Sequence, residues 1–187
     1  MFAAAEAGIR FARIGDAAPI ATLHADNWRR HYRGAYSDRY LDDDLDADRL
    51  ALWTGRLRQP DTGRITLVAA DEARLVGFVH LVLDADPTWG TLVDNLHVVR
   101  SLQQGGIGTR LLSAAAPIVV DRRPGSGIYL WVLEQNEPAQ AFYLSRKGDR
   151  GDREMVTPPR GDPRNLNGTP AKLRMSWPDP TTLIRRP

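Results

Sequence analysis

The chain has 187 residues, 42% of them hydrophobic and 26% charged, with a formal net charge of +2; this supplies one packed domain, and the interleaved basic and acidic residues argue against a nucleic-acid partner. It has no cysteine, which excludes a cysteine nucleophile, disulfides and cysteine-ligated metal, and its four histidines show no ligand spacing, so no metal is expected. No apolar run approaches the roughly 20 residues of a membrane span and residues 1–8 show no basic, apolar leader, which together point to a cytoplasmic protein.

Residues 9–14 read as a first short strand. Asp16 stands where a helix N-cap belongs, and the helix it opens runs to about Tyr32, with Ile20, Leu23, Asn27 and Trp28 along one face. Residues 37–59 form a second helical region, acidic at its start (Asp42, Asp43, Asp44) and basic at its end (Arg56, Arg58), as the helix dipole favours; Pro60 and Gly63 close it. Two β-rich runs, Arg64–Ala70 and residues 75–83, flank a turn at residues 71–74. A second connection runs from Pro87 to Gly90, and residues 91–98 are the next strand. A helix follows from Gly108 to about Val120, broken by Pro124, Gly125 and Gly127. Ile128–Leu133 is continuously apolar, as a strand buried on both faces would be. Asn136 caps a helix to about Arg146, with Pro138 in its first turn. Beyond Gly148 the pattern weakens: Met155 and Val156 suggest strand, residues 157–170 a loop, Ala171–Trp177 a last strand and residues 178–187 a tail. The expected architecture is α/β, a mixed, mostly antiparallel sheet flanked by helices, with a single domain over residues 1–177.

The most informative stretch is residues 94–112, DNLHVVRSLQQGGIGTRLL. A strand enters a glycine-rich turn that opens onto a helix. Free backbone N–H groups and the positive end of the helix dipole therefore converge, which suits a phosphate or pyrophosphate. Gly105, Gly106 and Gly108 allow close backbone approach, and Thr109 adds a hydroxyl. A Walker loop is excluded, because Gly108 is followed by Thr109 and Arg110 rather than lysine and a hydroxyl residue. A Rossmann fingerprint lacks its third glycine, since Leu111 stands there. Taken alone, the glycines also suit a plain strand-to-helix turn.

A second segment, residues 130–148 (LWVLEQNEPAQAFYLSRKG), places Asn136, Ala139, Phe142 and Tyr143 behind a strand. The spacing Gln103-x-x-Gly106-x-Gly108, together with this Asn and Ala-x-x-Phe-Tyr pattern, resembles the acyl-CoA site of the GNAT superfamily of N-acetyltransferases. The element order is also that of the GNAT fold. The resemblance implies acetyl-CoA as cofactor, with its pyrophosphate on Gln103, Gln104, Gly105, Gly106, Ile107, Gly108 and Thr109. It implies a pantetheine arm along the main chain of Leu96, His97 and Val98, where this strand bulges and splays from Ile128–Leu133. Asn136, Ala139 and Phe142 would add cofactor contacts. Tyr143 would face the CoA sulfur as general acid, and the Val98 N–H would polarise the thioester carbonyl. Without the loop upstream, Phe142 and Tyr143 would read as core aromatics. One departure is Lys147, where the family usually has glycine, with Gly148 followed by Asp149; the strand after this helix is therefore expected to be shifted or frayed.

The implied reaction is direct transfer of an acetyl group, in a ternary complex, to a primary amine of a small molecule or peptide. The amine must lose its proton before it attacks. Asp94 sits where many relatives carry an acid; His80, His97 and Glu134 are further candidate bases, and a water chain without a dedicated base is another route. Trp28, Tyr32 and Tyr36 lie in a segment resembling the family's acceptor-side helix and loop, where they wall a substrate pocket or pack the two helices together. His80 is a substrate-side candidate as well. The alternative function is an acyl-CoA-binding module without turnover. Residues 171–187 offer an edge for a homodimer, and neither nucleic acid nor membrane is expected as partner.

Overall fold

The computed structural model describes residues 7–59, 61–71 and 74–184. Pro60, the centre of the expected hairpin turn (Glu72 and Ala73), residues 1–6 and residues 185–187 lie outside the described residues. Seven strands are present: β1 Gly8–Phe11, β2 Arg64–Ala70, β3 Leu75–Asp86, β4 Gly90–Val98, β5 Ile128–Leu133, β6 Asp149–Met155 and β7 Ala171–Trp177. They form one sheet in the order β1-β2-β3-β4-β5-β7-β6. Every neighbouring pair is antiparallel except β4 and β5, which run parallel.

Helices α1 Ala17–His31 and α2 Leu45–Arg58 cover one face, and α3 Ile107–Arg122 and α4 Glu137–Ser145 the other. The apolar period of α1 buries Ile20, Leu23 and Asn27, and Ile20 and Leu23 pack with Trp53, Val68 and Phe78. On the opposite face Leu111, Leu112, Ala115 and Val119 of α3 meet Leu130 and Val132 of β5. Leu133 instead joins Tyr36, Tyr40 and Leu45, so β5 is buried on both faces as its composition required. Gly77 permits the close seat of α3, because a Cβ there would lie 3.0 Å from His97 O and 3.2 Å from Leu111 Cδ1.

Five local expectations are corrected. The last strand, expected to offer a free edge, is β7, and it pairs on both sides, with β5 and β6. The first strand ends at Phe11, and Ile14–Asp16 form a short 3-10 turn. Asp16 occupies the position before α1, but its carboxylate does not cap the helix. It turns back to accept the Arg13 N–H at 2.7 Å and the Arg10 guanidinium at 2.7 and 2.9 Å. The second helical region begins as a wide π-turn, Tyr40–Asp44, before α2 proper. The strand β6 is longer than its sequence suggested. Its residues are exposed at every position, so no apolar alternation marks it, and its pairing with β7 slips between Arg150 and Arg153. Ahead of β6, Lys147 takes a left-handed φ of +62. The N–H of Gly148 bonds Tyr143 O at 3.1 Å and that of Lys147 bonds Leu144 O at 2.9 Å, a Schellman ending built on lysine.

Two irregularities at the sheet's centre position the site. Asn95 faces His80 and Val93 faces Leu81, so Asp94 is an extra residue in β4, a β-bulge. The parallel pair β4–β5 joins only at Thr91 with Ile128 and Leu92 with Tyr129, after which the strands part. After β7, Pro180–Leu183 make a 3-10 turn that buries Leu183 in the α3-side core. No helix among the described residues is long and apolar enough to cross a membrane.

Candidate active site

Where β4 and β5 part, a cleft of about 420 Å³ opens through the sheet. Its walls come from the far half of β4, from Leu130 to Leu133 of β5, from the loop before α3, from α4, and from Asn27 and His31 of α1 with Tyr32 at its C-cap. At one end Gln104 and Gly106 both adopt left-handed backbone, with φ of +65 and +82. The first intrahelical bond of α3 runs from Arg110 N–H to Gly106 O at 3.0 Å, so the N–H groups of Ile107, Gly108 and Thr109 precede the ladder and are free of it. The Gln103 side chain donates to Val98 O at 3.3 Å, which ties the loop to β4. Gly108 lies against α4: a Cβ there would come within 3.3 Å of Phe142 Cζ. A helix N-terminus with free donors, continuous with a cleft along a splayed strand, fits a pyrophosphate that carries an extended arm.

Helix α4 is fixed to the end of β5. Asn136 Oδ1 accepts the Ala139 N–H at 3.3 Å, and Gln140 Nε2 donates to Leu133 O at 3.3 Å and Glu134 O at 2.7 Å. This presents Tyr143 to the cleft. The ring is 9% exposed and lies edge-on to Phe142, at 5.3 Å, and Trp177, at 6.1 Å. Its hydroxyl has no hydrogen-bond partner among the described residues, and burial holds its pKa above the usual phenol value. The proton therefore stays on at neutral pH.

On the α1 and α2 side, the bulge turns Asp94 toward α2, where Arg56 Nη2 meets Asp94 Oδ2 at 2.9 Å. The Asn95 side chain donates to the Asp94 carbonyl. His97 lines the cleft between His24, at 4.8 Å, and Phe78, at 5.2 Å; burial, with help from His31, lowers its pKa to about 3, so it is neutral. His80, on β3, is buried between the sheet and α2, 1% exposed, its ring 5.3 Å from Trp53 and its Nδ1 2.8 Å from the Thr66 hydroxyl; burial and Arg56 lower it to about 4. Glu134 gives both oxygens to Arg153 at 2.9 Å, and that bond holds its carboxyl below the usual range.

Of the residues singled out in the sequence, Asp94, Tyr143, Tyr32, Leu96, His97, Val98, Gln103, Gln104, Gly106, Gly108, Thr109, Asn136, Ala139 and Phe142 all line this one cleft. Gly105 and Ile107 belong to the same loop but not to its lining, and the Ile107 side chain is core. His80 stands apart from it. Trp28 stacks on Tyr32 at 4.6 Å beneath the Arg49 guanidinium, and Tyr36 packs with Tyr40 and Leu45, so both serve the helix interface. The sequence did not single out Asn27, Trp131 or Arg146, which line the cleft too. Trp131 could have been found, since alternation along β5 sets Tyr129, Trp131 and Leu133 on the face away from α3.

A model of the acetyltransferase (GNAT) family matches residues 24–148. The chain is 27% identical over 136 residues to a probable N-acetyltransferase of Mycobacterium tuberculosis, covering 72% of this chain and 75% of that protein. Among solved structures it is similar to the PaiA N-acetyltransferase of Thermoplasma acidophilum in complex with coenzyme A. That match has a TM-score of 0.67 and 18% identity, and spans 91% of this chain and 98% of that one. It is also similar to YncA of Salmonella typhimurium with acetyl-CoA, at a TM-score of 0.64 and 20% identity, over 91% and 92% of the two chains.

Proposed function

Because the chain belongs to the acetyltransferase (GNAT) family, we propose that it transfers the acetyl group of acetyl-CoA to a primary amine by direct attack in a ternary complex. The observation that carries this reading is the single cleft that joins the free N–H groups at the start of α3 to Tyr143 and Asp94. The loop from Gln103 to Thr109 would hold the pyrophosphate, and the open edge of β4 at Leu96, His97 and Val98 would hold the arm. Acetyl-CoA supplies a thioester, whose carbonyl carbon bonds to the acceptor nitrogen as the C–S bond breaks.

Asp94 takes the proton that the nitrogen sheds, directly or through one water. Its Oδ2 is held by Arg56, and its Oδ1 has no partner among the described residues. Tyr143 gives its proton to the departing sulfur, and solvent returns it, so that the products are an amide and free CoA. Burial raises the Tyr143 pKa and penalises a thiolate at the same place as well, so the two effects offset and the transfer rests on the hydroxyl lying close to the sulfur as its charge develops. His80 and His97 are held neutral, and Glu134 is held by Arg153, which leaves Asp94 as the carboxylate at the bulge.

The test is isothermal titration of acetyl-CoA, CoA, ATP and NAD, followed by thiol release with an amine panel. The reading expects binding of the two CoA species alone, and release only when an amine is present. Binding of ATP or NAD in preference to CoA would end it. Binding without release over a broad panel would favour the acyl-CoA-binding module.

A further inference from the structure

The acceptor side of the cleft has an unusual charge balance. Asp94 is the only carboxylate among the described residues that line it, and Arg56 already pairs with it. Glu134, next to the lining residue Leu133, is matched with Arg153, and Asp42 is matched with Arg33 at 2.7 and 2.9 Å. Cationic and neutral groups fill the other positions. His31 and Arg146 line the cleft, His97 is neutral, and the Arg49 guanidinium lies 4.5 Å from the Trp28 ring beside Tyr32. A site that holds several ammonium groups needs several carboxylates without arginine partners, and the lining provides none.

The same side offers two fixed rings. Tyr32 enters from the C-cap of α1, clamped by its near-parallel stack on Trp28, with planes 10° apart. Trp131 enters from β5 on the face away from α3. Its ring is held by Lys172 Nζ at 4.2 Å and by the Arg174 guanidinium at 5.3 Å. Those cations are in turn tied to Glu154, at 3.4 Å, and to Asp152 on the exposed strand β6. Rings fixed in this way bind apolar surface at small entropic cost.

We propose that the acceptor is a primary monoamine carried on an aromatic or apolar group, which packs between Tyr32 and Trp131 while its nitrogen faces Asp94, and that polycationic amines are poor acceptors. This rests on the acetyltransferase reading above.

The experiment uses the full chain. Acetyl-CoA binding is measured first by calorimetry; its absence sinks the acetyltransferase reading itself. With binding established, thiol release is compared for 2-phenylethylamine, tyramine and tryptamine against spermidine and kanamycin. The aryl monoamines are expected to show kcat/KM at least about tenfold higher. Trp131→Leu, which keeps the strand packed but removes the ring, should raise KM for 2-phenylethylamine about tenfold and leave the acetyl-CoA Kd within about twofold. Trp131→Phe should restore most of the loss. Faster turnover of spermidine or kanamycin overturns the proposal, as does a panel left wholly unreacted by protein that binds acetyl-CoA. An equal loss for both amine classes in Trp131→Leu overturns the role of the ring.

Discussion

Arg56, in the last turn of α2, meets Asp94 at the bulge of β4 with 2.9 Å between Nη2 and Oδ2. Arg56 Nε and Nη1 are buried without partners, so this carboxylate is the guanidinium's one counter-charge among the described residues. Asp94→Asn should therefore cost about 1–3 kcal/mol of stability, since removal of one partner strands the other. Urea unfolding of the single variant and of Asp94→Asn with Arg56→Met would measure it. The double variant should recover most of the loss, and a single variant as stable as the parent would refute the coupling.

Asp94→Asn should also lower kcat at least about a hundredfold while the acetyl-CoA Kd stays within about twofold. Tyr143→Phe should lower kcat by a similar factor, and for Tyr143 the pH profile is diagnostic. Burial raises this phenol's pKa, so its proton is present across the assay range and an alkaline fall in kcat should be absent below about pH 10. Loss of kcat at lower pH in the parent, with that limb removed in Tyr143→Phe, would contradict the raised pKa.

Two buried histidines, His24 and His80, and a third in the cleft wall, His97, make folding sensitive to acid. His24 is lowered well below the usual value by burial first and by His97, His80 to about 4, and His97 to about 3. The folded pKa is the depressed one, so the unfolded chain binds protons first as pH falls. Their contribution is complete above about pH 6.5 and is lost progressively toward pH 4. At about pH 5.5 each histidine should cost about 1.4 kcal/mol relative to neutral pH. Chemical unfolding across this range should show that slope, and His80→Gln should flatten it by about one proton. Stability that is flat between neutrality and about pH 5.5 would show that these imidazoles charge without cost.

Lys147 carries a backbone conformation that L-residues rarely adopt, at φ +62, in the Schellman ending of α4. Lys147→Gly should stabilise the protein by about 0.5–1 kcal/mol, because glycine removes the Cβ clash at that position and this outweighs its greater freedom when unfolded. A thermal scan with an unchanged or lowered midpoint would show that the lysine is unstrained.

The parts of this fold that read clearly from sequence are those where one physical signal dominated. The apolar run of β5, the Asn136 cap and the glycine turn before α3 each state their structure locally. The Asp16 cap misled, because a nearby guanidinium on Arg10 outbid the helix N-terminus for the same carboxylate. The strand β6 was almost invisible, since an edge strand with every side chain in solvent carries no alternation. At the site, the loop and α4 residues lie within two short motifs. Alternation along β5 gives the face of Trp131, but what fixes its ring, Lys172 and Arg174, comes from a strand more than forty positions away that only the pairing of β5 with β7 brings over it.

The sheet holds together across its middle by two residue pairs, Thr91 with Ile128 and Leu92 with Tyr129. One core under α3 still spans both halves of the sheet, but the far half of β4 has a bonded neighbour on one side only, and its amide hydrogens should exchange sooner than those of β2 and β3. A substrate that bonds along that free edge acts as an eighth strand. Its arrival would give that edge a second bonded neighbour and slow the exchange of the amides it covers.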